Sequence, residues 1–388
     1  MPDGAQFTRE LDQEALGALR LADLPEAPVE GAIRSLARPG RGAVTNPSLR
    51  YSSSHTEAVE DGWAFLTDSD APPPLRTTMH RDRSKSAISW NDSPDLGFDR
   101  AVNPYRGCEH GCIYCYARPS HAYLGYSPGL DFETEIVFKP DVVALLERDL
   151  SKRGYRPGTL ALGSNTDPYQ PVERTMRLTR AILEVLERYG HPVSIVTKSA
   201  TVVRDIDILQ RLAQRGLVRV YLSVTTLDPN LARCMEPRAS TPALRLRAIA
   251  ALAKAGIPVG VLAAPMIPGL NDAELETIVE TAYAAGARSA NYVLLRLPLE
   301  LRDMFAAWLD EHMPDRARRV LALIRETRDG ALNDSDFHAR FRGTGAYADL
   351  LAQRFARIKR KLKLADRQPL DTSQFQVPSV AKAQLELL

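Results

Sequence analysis

From about residue 101 onward, short β-branched runs alternate with stretches in which apolar residues recur every three or four positions. Thr159-Leu160-Ala161-Leu162-Gly163 reads as a strand, and in residues 178–189 that follow it Leu178, Ile182, Val185 and Leu186 fall on one helical face. Val193-Ser194-Ile195-Val196-Thr197 is the next strand, and 202–214 the next helix, with Ile206, Leu209 and Leu212 facing inward. Segments 218–225, 257–266 and 290–297 supply three more strands, with 243–255, 272–285 and 299–309 as their helices. Gly190, Gly216 and Gly256 stand where helix C-caps are expected. This rhythm predicts βα units around a parallel sheet, and by itself suits an open sheet as well as a barrel.

The flanks are patterned differently. Residues 1–97 are rich in Pro, Ser, Asp and Arg, include Pro72-Pro73-Pro74, and read as an irregular, partly disordered arm. The core follows over 98–330, and 331–388 forms an extension with a turn at Phe341-Arg342-Gly343-Thr344-Gly345 and a helix from about Tyr347 to Leu362. That helix ends in Arg354-Phe355-Ala356-Arg357-Ile358-Lys359-Arg360-Lys361-Leu362-Lys363. The cations suit either phosphate docking or a surface helix whose Leu351, Phe355, Ile358 and Leu362 pack inward while the charges favour its C-terminal dipole.

Composition adds bounds. The 388 residues are 44% hydrophobic and 25% charged, which fits one large catalytic domain with appended segments. A net charge of +2 argues neither for nor against an anionic partner. Met1-Pro2-Asp3-Gly4-Ala5-Gln6 is polar and acidic where a signal peptide is basic and then apolar, and no apolar run reaches the ~18 residues of a membrane span. The expected location is the reducing cytoplasm.

Three of the four cysteines lie in Asn103-Pro104-Tyr105-Arg106-Gly107-Cys108-Glu109-His110-Gly111-Cys112-Ile113-Tyr114-Cys115-Tyr116; the fourth is Cys234. Three thiolates on one loop can each take one iron of a cubane, leaving the fourth iron open to a small molecule. A zinc shell completed by His110 or His121 is the alternative, although structural zinc sites usually draw on two separated ligand pairs. A disulfide reading leaves an odd cysteine in the cluster. Gly107 and Gly111 suit a loop that must take backbone conformations closed to other residues.

At this loop, C-x3-C-x2-C with Tyr114 before the last cysteine, the chain resembles the radical S-adenosylmethionine (SAM) enzymes. The resemblance implies a 4Fe-4S cluster on Cys108, Cys112 and Cys115 whose open iron chelates the methionine end of SAM. It also implies one-electron cleavage of SAM to a 5′-deoxyadenosyl radical, and a reducing donor such as flavodoxin or ferredoxin. The expected fold is α/β, a partial (β/α)6 TIM-like barrel with an irregular N-terminal arm and a helical C-terminal extension. The cluster loop then follows the first strand, near Arg100 to Pro104, at the carboxyl end where such barrels place their sites.

By the same resemblance, Ser164, Thr166 and Asp167 match the loop that receives the SAM ammonium. Lys198 and Ser223 match positions for its carboxylate and ribose, Glu236 and Arg238 lie in a segment that closes over the site, and Tyr114, Thr225 and Met266 join the cofactor set. Within the superfamily the chain is similar to the spore photoproduct lyase and DNA-repair-photolyase-like branch. The likeness rests on Asn103 to Cys108, the pair Tyr114 and Tyr116 around Cys115, the Thr166-Asp167-Pro168 turn, and Leu222-Ser223-Val224-Thr225 with Glu236-Pro237-Arg238. In the true lyases such tyrosines join a hydrogen-atom relay with a cysteine after the second strand; here that loop reads Ser164-Asn165-Thr166-Asp167 and has no thiol. The expectation is a radical SAM enzyme acting on nucleic acid in a repair-like reaction. Alternatives are a protein or small-molecule substrate, or a non-catalytic iron-sulfur or zinc protein.

Overall fold

The computed structural model describes residues 38–48, 50–51, 75–365 and 368–378. Ten strands form two sheets: β1 (Thr78–Arg81), β2 (Ile88–Trp90), β3 (Arg100–Val102), β4 (Tyr105–Arg106), β5 (Glu135–Phe138), β6 (Leu160–Leu162), β7 (Val193–Thr197), β8 (Val218–Ser223), β9 (Val259–Met266) and β10 (Ser289–Leu294). The larger sheet has the order β10-β9-β8-β7-β6-β3-β2. Its six strands from β3 to β10 pair in parallel, and β2 adds antiparallel to β3.

A helix follows each of the six parallel strands: Val142–Leu150, Leu178–Tyr189, Ile206–Gln214, Pro242–Lys254, Leu275–Ala284 and Leu301–His312. The expected partial (β/α)6 barrel is therefore the observed fold. Gly190 caps the Leu178–Tyr189 helix in the left-handed conformation, φ 61°, the region glycine enters without a Cβ penalty.

Alternation along the strands separates two faces. In β7, Val193, Ile195 and Thr197 are buried, and Val193 and Ile195 meet the surrounding helices in the main core; Ser194 and Val196 face the lumen and are half-buried. Side chains meet inside the sheet near the amino ends of the strands, the foot. There Arg219 reaches Ser194 Oγ and the carbonyl of Gln368. Gly260 leaves room for the Tyr221 ring, 2.5 Å from where a Cβ would stand.

The segment before residue 98, expected to be irregular, contributes β1 and β2 to the two sheets, and Arg41, Gly42, Ala43 and Val44 are buried. Residues 1–37, 49 and 52–74 of the expected arm lie outside the described residues. The smaller sheet, β1-β5-β4, was not legible from the pattern; β4 and β5 bracket the cysteine loop. The C-terminal helix runs Gly345–Lys361, from Tyr347, whose hydroxyl donates to Asp272, toward Ala365, whose N–H donates to the carbonyl of Arg288 just before β10. Its basic end thus lies at the foot, away from the cysteines. Among the described residues no helix is long and apolar enough to cross a membrane.

Candidate active site

The cysteine loop leaves β4 at the carboxyl end of the barrel, the mouth. Gly107 and Gly111 hold φ of 77° and 69°, and a Cβ on Gly111 would come within 2.8 Å of Glu133 Oε2. Glu133 is fully buried and organises the loop from behind. It accepts from Arg118 Nη2 at 2.5 Å and from the N–H groups of Gly42 and Ala43 at 3.0 and 2.9 Å, so the segment before the barrel is fastened to the loop. Arg118 also donates to the carbonyls of Cys112, Pro128 and Gly129. From the other side Gln170 accepts from the Glu109 N–H at 2.8 Å and donates to the Gly107 carbonyl. Such saturation of a buried carboxylate and guanidinium is what makes their burial tolerable.

Cys108 and Cys112 are buried and Cys115 is half-buried. Burial pushes the Cys108 thiol well up, with Asp167 adding to it. Burial likewise raises Cys112, against the pull of the Lys198 ammonium. Three soft donors on one braced loop fit an iron-sulfur cluster, whose metal displaces the thiol protons. Among the described residues no three His, Cys, Asp or Glu side chains gather around a single ion. A cubane does not need that, because its cysteines bind separate irons.

The two tyrosines around Cys115 diverge. Tyr114 is buried and its hydroxyl donates to Glu236, beside Thr225 Oγ1 at 3.1 Å. Glu236 also accepts from Thr225 Oγ1 at 2.6 Å and pairs with Arg245, which donates to the Ser223 and Ser240 carbonyls. Tyr116 is half exposed and its hydroxyl meets the Ser164 carbonyl. Lys198 places its ammonium 5.7 Å from the centre of the Tyr114 ring.

The remaining candidates divide. The partial burial of Asp167 alone would raise its pKa, yet His110 beside it, the Lys198 N–H and the Thr197 hydroxyl hold it down to about 2. Its carboxylate accepts from Thr197 Oγ1 at 2.7 Å, Lys198 N at 2.7 Å and Tyr169 N at 2.9 Å, with His110 Nδ1 at 3.4 Å, so its lone pairs are spent within the protein. Thr166 donates to the Tyr105 carbonyl, and Ser164 Oγ accepts from Asn103 at 3.2 Å. Ser223 donates to the Ala264 carbonyl. Arg238, two residues from Glu236, turns the other way to pair with Glu109 at 3.0 Å. With His110, Ser199 and Thr241 it lines a cavity of about 190 Å³. Met266 is fully buried in the main core. Cys234 is half-buried against the second core, its carbonyl accepting from Trp308.

Sequence reasoning missed Arg245, Glu133 and Gln170. Arg245 had a signal: it shares a helical face with Ala248, Ile249 and Leu252, all buried, where a charge has to find a partner. Glu133 had none, since its partners at Gly42 and Ala43 lie 91 and 90 residues away.

Comparison with known proteins bears on the family and the fold. Residues 102–282 match the model of the radical SAM superfamily. An uncharacterized protein of Mycobacterium tuberculosis is 37% identical over 293 residues, covering 74% of this chain and 82% of the relative. An uncharacterized protein of Methanocaldococcus jannaschii is 30% identical over 192 residues, 50% of this chain and 69% of the relative. Among solved structures, two spore photoproduct lyase variants superpose with TM-scores of 0.52 and 0.51 at 17% and 18% identity, covering 73% of this chain and 78% of each. That likeness is one of fold. The cysteine loop, the six-unit barrel and the family match together place this chain in the radical SAM superfamily, a family of enzymes that normally bind a 4Fe-4S cluster and SAM.

Proposed function

We propose that this chain cleaves SAM reductively on a 4Fe-4S cluster held by Cys108, Cys112 and Cys115, and that its substrate is nucleic acid in a repair-like reaction. The observation that carries the reading is the braced loop, three thiols with no competing ligand role, opening on the mouth of the barrel. When bound, the cluster supplies the electron that breaks a carbon–sulfur bond of SAM. The protein's part is positioning. Lys198 offers the SAM carboxylate a half-buried ammonium. Glu236, fixed by Arg245, holds Tyr114 against the cluster loop. Asp167 acts as a positioning residue, tying the loop after β6 to the end of β7. Tyr116, at the Ser164 carbonyl, is the tyrosine placed to face a substrate, and no thiol of the β6 loop stands ready to pass it a hydrogen atom. A flavodoxin- or ferredoxin-type donor would reduce the cluster.

Anaerobic reconstitution followed by iron and sulfide counts, then 5′-deoxyadenosine release from SAM with dithionite, tests the enzymatic part. Two iron-dependent outcomes separate the readings: cleavage supports the proposal, and a cluster without cleavage makes the chain a passive iron-sulfur protein. A zinc protein would give neither. Transfer of deuterium from a labelled oligonucleotide into 5′-deoxyadenosine tests the substrate, and transfer only from a peptide or small molecule would replace it.

A further inference from the structure

Beyond β10 the chain builds an alternating series of rings and guanidinium groups that starts at Tyr116, next to Cys115. Arg296 lies 5.9 Å from the centre of the Tyr116 ring and 5.1 Å from that of Phe341. Arg340 lies 4.9 Å from the centres of both Phe341 and Phe337. The order is therefore Tyr116, Arg296, Phe341, Arg340, Phe337, and its two end rings are 50% and 51% exposed.

The series is held in place. Asp95 accepts from Arg340 Nε at 2.7 Å and from the His338 N–H at 3.0 Å, and Arg328 donates to the carbonyls of Ala339 and Leu295. Arg340 is thus neutralised. Arg296 is not: among the described residues it has neither an ion pair nor a hydrogen bond, and its Nε is buried without an acceptor. Burial and the neighbouring Arg340 press its pKa down, with Tyr116, Asp95 and Asp334 opposing from a distance without pairing to it. The buried guanidinium groups of Arg118 and Arg245 each have a carboxylate and that of Arg328 is held by two carbonyls, whereas Arg296 has neither. An unmatched cation in a series that ends in exposed rings asks for a ligand that is both planar and anionic.

We propose that Tyr116, Arg296, Phe341, Arg340 and Phe337 form a stacking track for a single strand of nucleic acid, with a phosphate on Arg296 and bases against the exposed rings. This rests on the nucleic-acid reading above and names the surface that would carry it. Bases of any sequence stack on aromatic and guanidinium planes, and a phosphate oxygen supplies the acceptor that Arg296 lacks. The track ends beside Cys115, so a threaded strand is delivered to the mouth.

The test is fluorescence anisotropy of a short labelled single-stranded DNA of mixed sequence with the full chain, at several salt concentrations. Phe337→Ala and Arg296→Gln are each expected to weaken binding about tenfold. Phe337→Trp should retain binding, which separates stacking from folding, and the thermal midpoint of each variant checks the fold directly. Unchanged affinity in both weakened variants, or no salt-sensitive binding by the wild type, overturns the track. Competition by AMP at the same concentration as the strand also overturns it, in favour of a free nucleotide. SAM cleavage is read on the wild type alone. Strand binding that depends on Phe337 in a chain without cleavage keeps the track and removes the enzymatic reading; cleavage with strand binding indifferent to both residues does the reverse.

Discussion

The mouth and the foot of the barrel use similar side chains to hold different parts of the chain. At the mouth, charged groups are buried in pairs that brace the cysteine loop and its neighbours, Glu133 with Arg118 and Glu236 with Arg245, and Asp167 stands beside His110. At the foot, a mixture of polar contacts and rings ties the strands and helix ends to the tail. Arg219 reaches across to Ser194, the tail places Phe375 against the rings of Tyr155, Tyr189 and His191, and Gln374 bonds Arg215. Burying charge costs desolvation, and both ends bear it, since Arg100 and Arg219 are buried near the amino ends of β3 and β8; what differs is what the charges hold, the cysteine loop at the mouth and the tail at the foot.

The sharpest way to break the comparison is at the cysteines. Cys108→Ala, Cys112→Ala and Cys115→Ala should each abolish cluster loading, while Cys234→Ala, in the second core, keeps it. Iron and sulfide counts after anaerobic reconstitution decide this, and loss of the cluster in the Cys234 variant would overturn the ligand assignment. Next comes Glu236→Ala, which strands Arg245 inside the protein and should cost about 3–5 kcal/mol in urea unfolding. It also frees Tyr114, so the electron paramagnetic resonance of the reduced cluster should change. Phe375→Ala at the foot should cost about 2 kcal/mol, less than a fully enclosed ring, and leave that spectrum alone.

How much of this was readable without coordinates follows from the range of the interactions. Strand and helix positions from 160 to 309 depend on local periodicity, and the 178–189 helix and the 193–197 strand coincide with observation. The cysteines were legible because a cluster loop is local too. Glu133 was not, nor was β1, because each is defined by partners across more than fifty residues, Gly42 for one and β5 for the other. The direction of the C-terminal helix was equally hidden: its apolar stripe says that it packs, and only its bonds to Asp272 and Arg288 say which end points to the mouth.

Both ends respond to pH: burial presses His121, against Gly107 of the cysteine loop, down to about 4, and it does the same to a histidine at the foot. His191 is enclosed at the foot; its Nδ1 stands 3.0 Å from the Pro192 carbonyl and must donate, leaving Nε2 to accept from Tyr155 at 2.8 Å. That neutral form is favoured by burial, with Arg100 adding to it, and the pKa is pressed down to about 4. The unfolded chain binds this proton near pH 6.5, so stability falls as pH drops from about 6.5 to 4, by on the order of 3 kcal/mol. Asp167 contributes in another window: held to about 2, its stabilisation is present above about pH 3.9 and lost only as pH falls toward 2. Urea unfolding of the wild type at pH 7 and 4.5 should therefore differ, and His191→Gln should reduce the difference without removing it, since His121 is lowered in the same window. An equal slope in that variant would place the titration elsewhere.

The smallest effect expected concerns the basic end of the C-terminal helix. Arg354, nearest the mouth, is matched by Glu276 at 2.5 Å, and Lys361 by Glu280 at 2.8 Å on an exposed surface. Exposed pairs of this kind contribute little, so changing Lys359, Arg360 and Lys361 together to Gln should move stability by no more than about 0.5 kcal/mol. The helix approaches Arg288 at the foot, whereas the proposed strand lies against Arg296 and Phe337 beyond the other end of β10. The triple variant should therefore bind the labelled strand with less than about a twofold change and keep the wild-type salt dependence, since each lost phosphate contact would lower a single-strand slope by ~0.7. A flattened slope in the triple variant, with Arg296→Gln unchanged, would move the nucleic-acid surface to the foot and undo the division between the two ends.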